Sequence, residues 1–141
     1  MKLDLSKRGD YGVRAMLALT RAGRQLRTSQ SIATETHVPV HFLPQIMGDL
    51  ARAGLVTSLP GRHGGYRLSR DPATISLLDV IEAIEGDARR HMCVLRGGPC
   101  RVDGRCDVHD IFSAAQAAVL GRFESASLAS VAGEPAAIDP A

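Results

Sequence analysis

The apolar positions divide the chain into a helical front half, a short alternating stretch and a helical back half. In LSKRGDYGVRAMLALTRAG, residues 5–23, Tyr11, Ala15, Met16 and Leu19 recur at helical spacing and Gly23 supplies a stop. TSQSIATETH, residues 28–37, predicts a short second helix capped by Thr28 or Ser29. VPVHFLPQIMGDLARAGLV, residues 38–56, predicts a third, with Phe42, Ile46, Leu50 and Ala53 as its apolar stripe and Gly54 as its stop. Pro44 constrains where that helix begins, because a proline deep inside would cost about 3 kcal/mol or more. A start near His41 puts Pro44 in the first turn, where its missing N–H matters little.

The pattern then changes period. LVTSL and GYRLS are short alternating runs, and PGRHGG between them is a turn, so a β-hairpin is predicted. SLLDVIEAIEG, residues 76–86, returns to helical spacing, with Ser76 and Asp79 as a capping pair and Gly86 as the stop. After a Gly-rich stretch, DVHDIFSAAQAAVLGRFESA predicts a long helix with Asp107 as its cap. Val108, Ile111, Phe112, Ala115, Val119 and Phe123 form its apolar side. SLASVA predicts a last short helical turn before a frayed end.

Helix, helix, turn, helix and hairpin is the order of a winged helix-turn-helix. The fold class expected is mainly α with a small β-hairpin wing, followed by a long dimerisation helix. Residues 1–86 form the winged helix-turn-helix, 87–106 a cysteine loop, 107–132 the dimerisation helix and C-terminal turn, and 133–141 a flexible tail.

Charge favours a nucleic-acid partner. Residues 1–70 carry 11 Lys/Arg and 4 Asp/Glu, a balance of +7, while residues 71–141 carry 6 and 11, a balance of −5. A basic module joined to an acidic one fits a DNA-binding head with a regulatory or assembly unit. A helix N-terminus fits the major groove, so Pro39, His41 and Gln45 are the groove-facing candidates. Arg62, His63 and Arg67 decorate the wing, and Lys7 and Arg8 are placed to reach phosphates. The bland alternative is a protein–protein winged helix with solvated arginines. No apolar run approaches about 20 residues, so no membrane span is expected. The charged N-terminus has no apolar signal region, which with an odd cysteine count points to a reducing cytoplasm. Without a G-x-G-x-x-G motif or paired carboxylates in an apolar setting, no enzymatic role is expected.

All three cysteines lie in CVLRGGPCRVDGRC, Cys93, Cys100 and Cys106, with His109 following after two intervening residues. Three thiols cannot all pair as disulfides. Soft thiolates suit an iron–sulfur cluster or zinc, and a bare redox sensor is a third possibility. Arg89, Arg90, Arg96, Arg101 and Arg105 surround them and offset the negative charge of a thiolate-ligated cluster. Zinc sites have tighter C-x2–4-C pairs than this C-x6-C-x5-C spacing.

Over residues 1–132 the chain resembles the IscR/NsrR-type family of bacterial iron–sulfur winged-helix transcription regulators. SKRGDYGVRAML, HFLPQIMGDLARAGLV, GRHGGYRLSR, ISLLDVIEAIEG and the cysteine triad carry the resemblance. It implies a homodimer built on the long helix, a roughly palindromic duplex DNA operator, and repression controlled by a 2Fe–2S or 4Fe–4S cluster. The implied signal is redox state, nitric oxide or iron and cluster supply. The resemblance also implies two candidate fourth ligands. His109 stands where IscR-like members place a histidine. Asp10 stands where NsrR-like members place an acid that reaches across from the other subunit. His109 is preferred because it is local. The alternative reading of the whole is a DNA-binding regulator with structural zinc or cluster-free redox-sensing cysteines. The first cysteine gap is one residue longer than the familiar form, and Pro44 and Pro60 replace polar or charged residues, so the operator sequence is not carried over.

Overall fold

The computed structural model describes residues 4–86 and 106–133. Helix α1 spans Lys7–Ala22, and the Ser6 hydroxyl caps it by accepting the Gly9 N–H at 3.1 Å. Helix α2 spans Ser29–Thr36, with Thr28 as the cap. A 3-10 turn over Val40–Phe42 leads into α3, Leu43–Arg52, with Pro44 in its first turn. The late start expected from Pro44 is therefore observed, slightly later than His41 because the 3-10 turn takes residues 40–42. Ala53 lies beyond the helix as its cap and is exposed, so it does not extend the apolar stripe.

Strands β1, Val56–Leu59, and β2, Gly65–Leu68, pair antiparallel from Val56–Leu68 to Leu59–Gly65. Arg27 adds one further rung on the free side of β2. Its N–H donates to the Tyr66 carbonyl at 2.9 Å and its carbonyl accepts the Tyr66 N–H at 2.8 Å. The connection between α1 and α2 is thereby locked to the wing. Helix α4, Leu77–Glu85, opens with a full capping box between Ser76 and Asp79.

The core is aliphatic, as the scarcity of aromatic residues requires. Met16 and Leu19 of α1, Ile32 of α2, Leu43, Ile46, Met47 and Leu50 of α3, and Val80 of α4 are almost fully enclosed. Each large aliphatic side chain buried this way contributes about 1.5–3 kcal/mol of transfer free energy.

Helix α5, His109–Ser125, departs from expectation in two ways. Asp107 is not its cap. Val108 holds that position with helical backbone angles and no side-chain bond, and the His109 N–H is satisfied by the Cys106 carbonyl at 3.0 Å. The preceding turn does the work of a capping side chain. The expected apolar side also divides. Phe112, Val119 and Phe123 are half-buried, whereas Ile111 is 70% exposed and Ala115 lies open beside it. Helix α6, Leu128–Val131, then folds back onto the first domain. Leu128 is fully buried in the core, its N–H donates to Ile75 at 2.9 Å, and the Ala126 carbonyl accepts the Leu77 N–H at 2.8 Å. No described helix is long and apolar enough to cross a membrane.

Candidate functional site

The start of α3 and the hairpin carry most of the residues named from the sequence. Val38 is buried beneath the turn between α2 and α3, while Pro39, His41 and Gln45 are all exposed at its outer edge. His41 is held by an aromatic stack. Its ring lies 4.3 Å from that of Phe42, and Phe42 lies 5.4 Å from Tyr11 of α1. Two side chains expected to serve the core thus also orient a surface histidine.

The wing tip runs from Pro60 to Gly64, closed by the Gly64 N–H donating to the Gly61 carbonyl at 3.1 Å. Arg62 and His63 are exposed there, and Arg67 is exposed on β2 between inward-facing Tyr66 and Leu68. Two glycines permit this geometry. A Cβ on Gly64 would fall on the Leu59 carbonyl oxygen. Gly65 has φ +149°, and a Cβ there would lie 2.7 Å from the Arg27 carbonyl oxygen.

Lys7 is exposed in the first turn of α1. Arg8 instead forms an ion pair with Asp49 of α3, which also pairs with Arg52. Asp49 was not among the residues singled out from the sequence. Its i,i+3 relation to Arg52 is visible in the chain, but the pairing with Arg8, 41 positions away, is not. The opposite end of α1 is tied as well, because Arg21 pairs with Glu35 of α2 at 3.0 Å.

Of the expected metal ligands, Cys93 and Cys100 lie outside the described residues, as do the five arginines around them. Cys106 is a free, half-exposed thiol at the entrance to α5. The bond from the His109 N–H to its carbonyl closes a single turn from Cys106 to His109. A thiolate and an imidazole at that spacing are a donor pair suited to iron or zinc. Asp10 is engaged otherwise, its carboxylate accepting from Arg14 Nε at 2.9 Å. Among the described residues no group of three His, Cys, Asp or Glu gathers that could hold a metal ion.

A model of the Rrf2 family, described as iron-dependent transcriptional regulators, matches residues 5–134. The chain belongs to the Rrf2 family. An rrf2-like HTH-type transcriptional regulator of Rhodobacter capsulatus is 30% identical over 144 residues, covering 94% of this chain and 96% of the relative. The HTH-type transcriptional regulator IscR of Vibrio vulnificus is 32% identical over 111 residues, 78% of this chain and 66% of IscR. The solved structure of CymR, the global cysteine regulator of Bacillus subtilis, superposes with a TM-score of 0.81 at 28% identity, covering 93% of this chain and 97% of CymR. This Rrf2 protein thus shares the winged-helix fold of CymR. It is a helix-turn-helix transcriptional regulator.

Proposed function

We propose that this Rrf2 protein is a homodimeric repressor whose affinity for a roughly palindromic operator is set by an iron–sulfur cluster. Cys93, Cys100, Cys106 and His109 would hold the cluster. The observation that carries this reading is the single hydrogen-bonded turn that joins Cys106 to His109, in a family described as iron-dependent. Thiolate ligation suits iron–sulfur chemistry, and the imidazole adds a neutral donor.

The chain's own residues supply the reading head. His41 and Gln45 enter the major groove from the first turns of α3, beside Pro39. Arg62, His63 and Arg67 meet the backbone or minor groove from the wing, and Lys7 meets a phosphate. A physical route joins the C-terminal end of α4, which precedes the cysteine segment in the chain, to that head. The Ser6 N–H donates to Glu85 Oε1 at 2.6 Å at the C-terminal end of α4, and Arg8 two residues on is paired to Asp49 in α3. A shift at the end of α4 is thus passed to the recognition helix through ion pairs and hydrogen bonds. The second copy covers the outward row of α5. Ile111, Ala114, Ala115 and Ala118 are exposed at helical spacing, and a helix of this length needs a packing partner on that side.

The test is to purify the protein without oxygen. A brown protein with matched iron and sulfide, binding duplex DNA with strong salt dependence, is expected; a colourless protein with stoichiometric zinc would overturn the cluster assignment in favour of structural zinc. The wing has its own test. Gly64→Ala forces the tip open, since the new methyl group meets backbone rather than a flexible side chain. Duplex affinity, measured by fluorescence anisotropy, is expected to fall about tenfold, equivalent to about 1.4 kcal/mol. An unchanged affinity removes the wing from the interface.

A further inference from the structure

A cleft of about 610 Å³ opens between the C-terminal end of α1 and the base of the wing. Arg24, Arg67 and Arg70 line it together with Asp71, Leu68 and Thr20. Arg24 and Arg70 were not among the residues singled out from the sequence. They come from different elements, Arg24 just past α1, Arg67 on β2, and Arg70 before the 3-10 turn that leads to α4.

The cleft is positively charged and held in place. Arg24 and Arg67 have no carboxylate partner among the described residues. Among the described residues, Arg70 makes only a long contact with Asp79, at 3.5 Å. The single carboxylate among the described lining residues, Asp71, already accepts the Ala73 N–H at 2.9 Å. The two walls cannot drift apart, because the Arg27–Tyr66 rung joins the segment after Arg24 to the residue before Arg67.

We propose that this cleft receives a phosphate of the DNA backbone flanking the half-site read by α3, lengthening the footprint of each subunit. The proposal rests on the reading of the protein as a DNA-binding regulator. Two observations favour a polyanion over a small anionic ligand. Arg67 belongs to the hairpin whose tip carries Arg62 and His63, so the cleft continues the basic surface of the wing. All three arginines are solvent-exposed, where screening leaves little attraction for one small ion. A DNA backbone gains instead from the release of its condensed counterions.

The double variant Arg24→Gln/Arg70→Gln tests it, since it leaves α3 and the wing tip intact. The probe is a duplex selected from a random pool, carrying the bound site with about 10 base pairs beyond it on each side, about one helical turn. Affinity is measured from about 50 to 200 mM salt. Loss of one phosphate contact per subunit is expected to reduce the slope of log K against log salt by about 1.8, or 0.9 per contact, and to weaken binding about tenfold near 0.1 M salt. Arg24→Lys/Arg70→Lys is expected to retain the slope, and a duplex trimmed to the core site to erase the difference. The proposal is overturned by an unchanged slope and affinity, or by an equal loss on the trimmed duplex. It is also overturned if inorganic phosphate stabilises the wild type but not the variant while the DNA slope stays the same. Failure of the wild type to bind any duplex would overturn the regulator reading itself, and this proposal with it.

Discussion

Cys106→Ser is expected to abolish the visible absorption of anaerobically purified protein, and His109→Ala to shift that absorption and shorten its lifetime in air. Serine keeps the size of the side chain but replaces a soft, readily ionised thiol with a hard hydroxyl that binds iron poorly. Cys106 is half-exposed and contributes no packing to the core, so its loss is read at the cluster rather than in the fold. His109→Ala removes only the imidazole. The backbone bond from residue 109 to the Cys106 carbonyl persists, and alanine is the strongest helix former. The lifetime in air is expected to fall by about tenfold or more, since even groups that merely orient a metal ligand are worth about 10–100-fold in affinity. Asp10→Ala is expected to leave spectrum and lifetime unchanged, because Asp10 is committed to Arg14. Resonance Raman or Mössbauer spectra of the three variants decide the matter: a change confined to Asp10→Ala would assign the fourth bond to Asp10 instead.

Leu128→Ala has the largest expected effect on stability. Leu128 is completely buried, although it stands near the C-terminal end of the described chain and belongs to a helix of four residues. Its side chain packs with residues of the winged-helix domain, so truncation leaves a cavity there and loosens α6. The cost is about 2–5 kcal/mol, the usual range for a buried leucine cut back to alanine. For a chain of this length that lowers the melting temperature by on the order of 10 °C. Thermal unfolding followed by circular dichroism checks it, with exposed Val131→Ala as the control expected to change little. Equal effects of the two substitutions would show that α6 does not anchor α5 to the domain.

Most of the fold was legible in the chain because its signals are local. Ser6, Thr28 and Ser76 cap helices by hydrogen bonds to backbone N–H groups three residues on, and that spacing is written in consecutive letters. Pro44 announced a helix start because its ring tolerates only the first turn. The hairpin was marked by alternation and by its glycines. The misassigned cap of α5 has the opposite cause. Asp107 is the residue type that caps, but the turn from Cys106 had already satisfied the first N–H, and composition does not record that.

The candidate site divides in the same way. His41, Gln45, Arg62 and His63 could be named because an element's position in the winged-helix order predicts which of its ends is exposed. The pairings that tie the reading head to the rest could not. Ser6 meets Glu85 across 79 positions and Arg8 meets Asp49 across 41, and many acids in the chain were equally available to either. The sequence by itself determined the helices, the hairpin and the basic head, since each follows from residues within a few positions of one another. Only the tertiary structure decided that α6 returns to bury Leu128, that α5 keeps Ile111 outward, and that Arg24, Arg67 and Arg70 share one cleft. Those choices belong to packing among elements, where the free energy of burying apolar surface selects between partners that local propensity leaves equivalent.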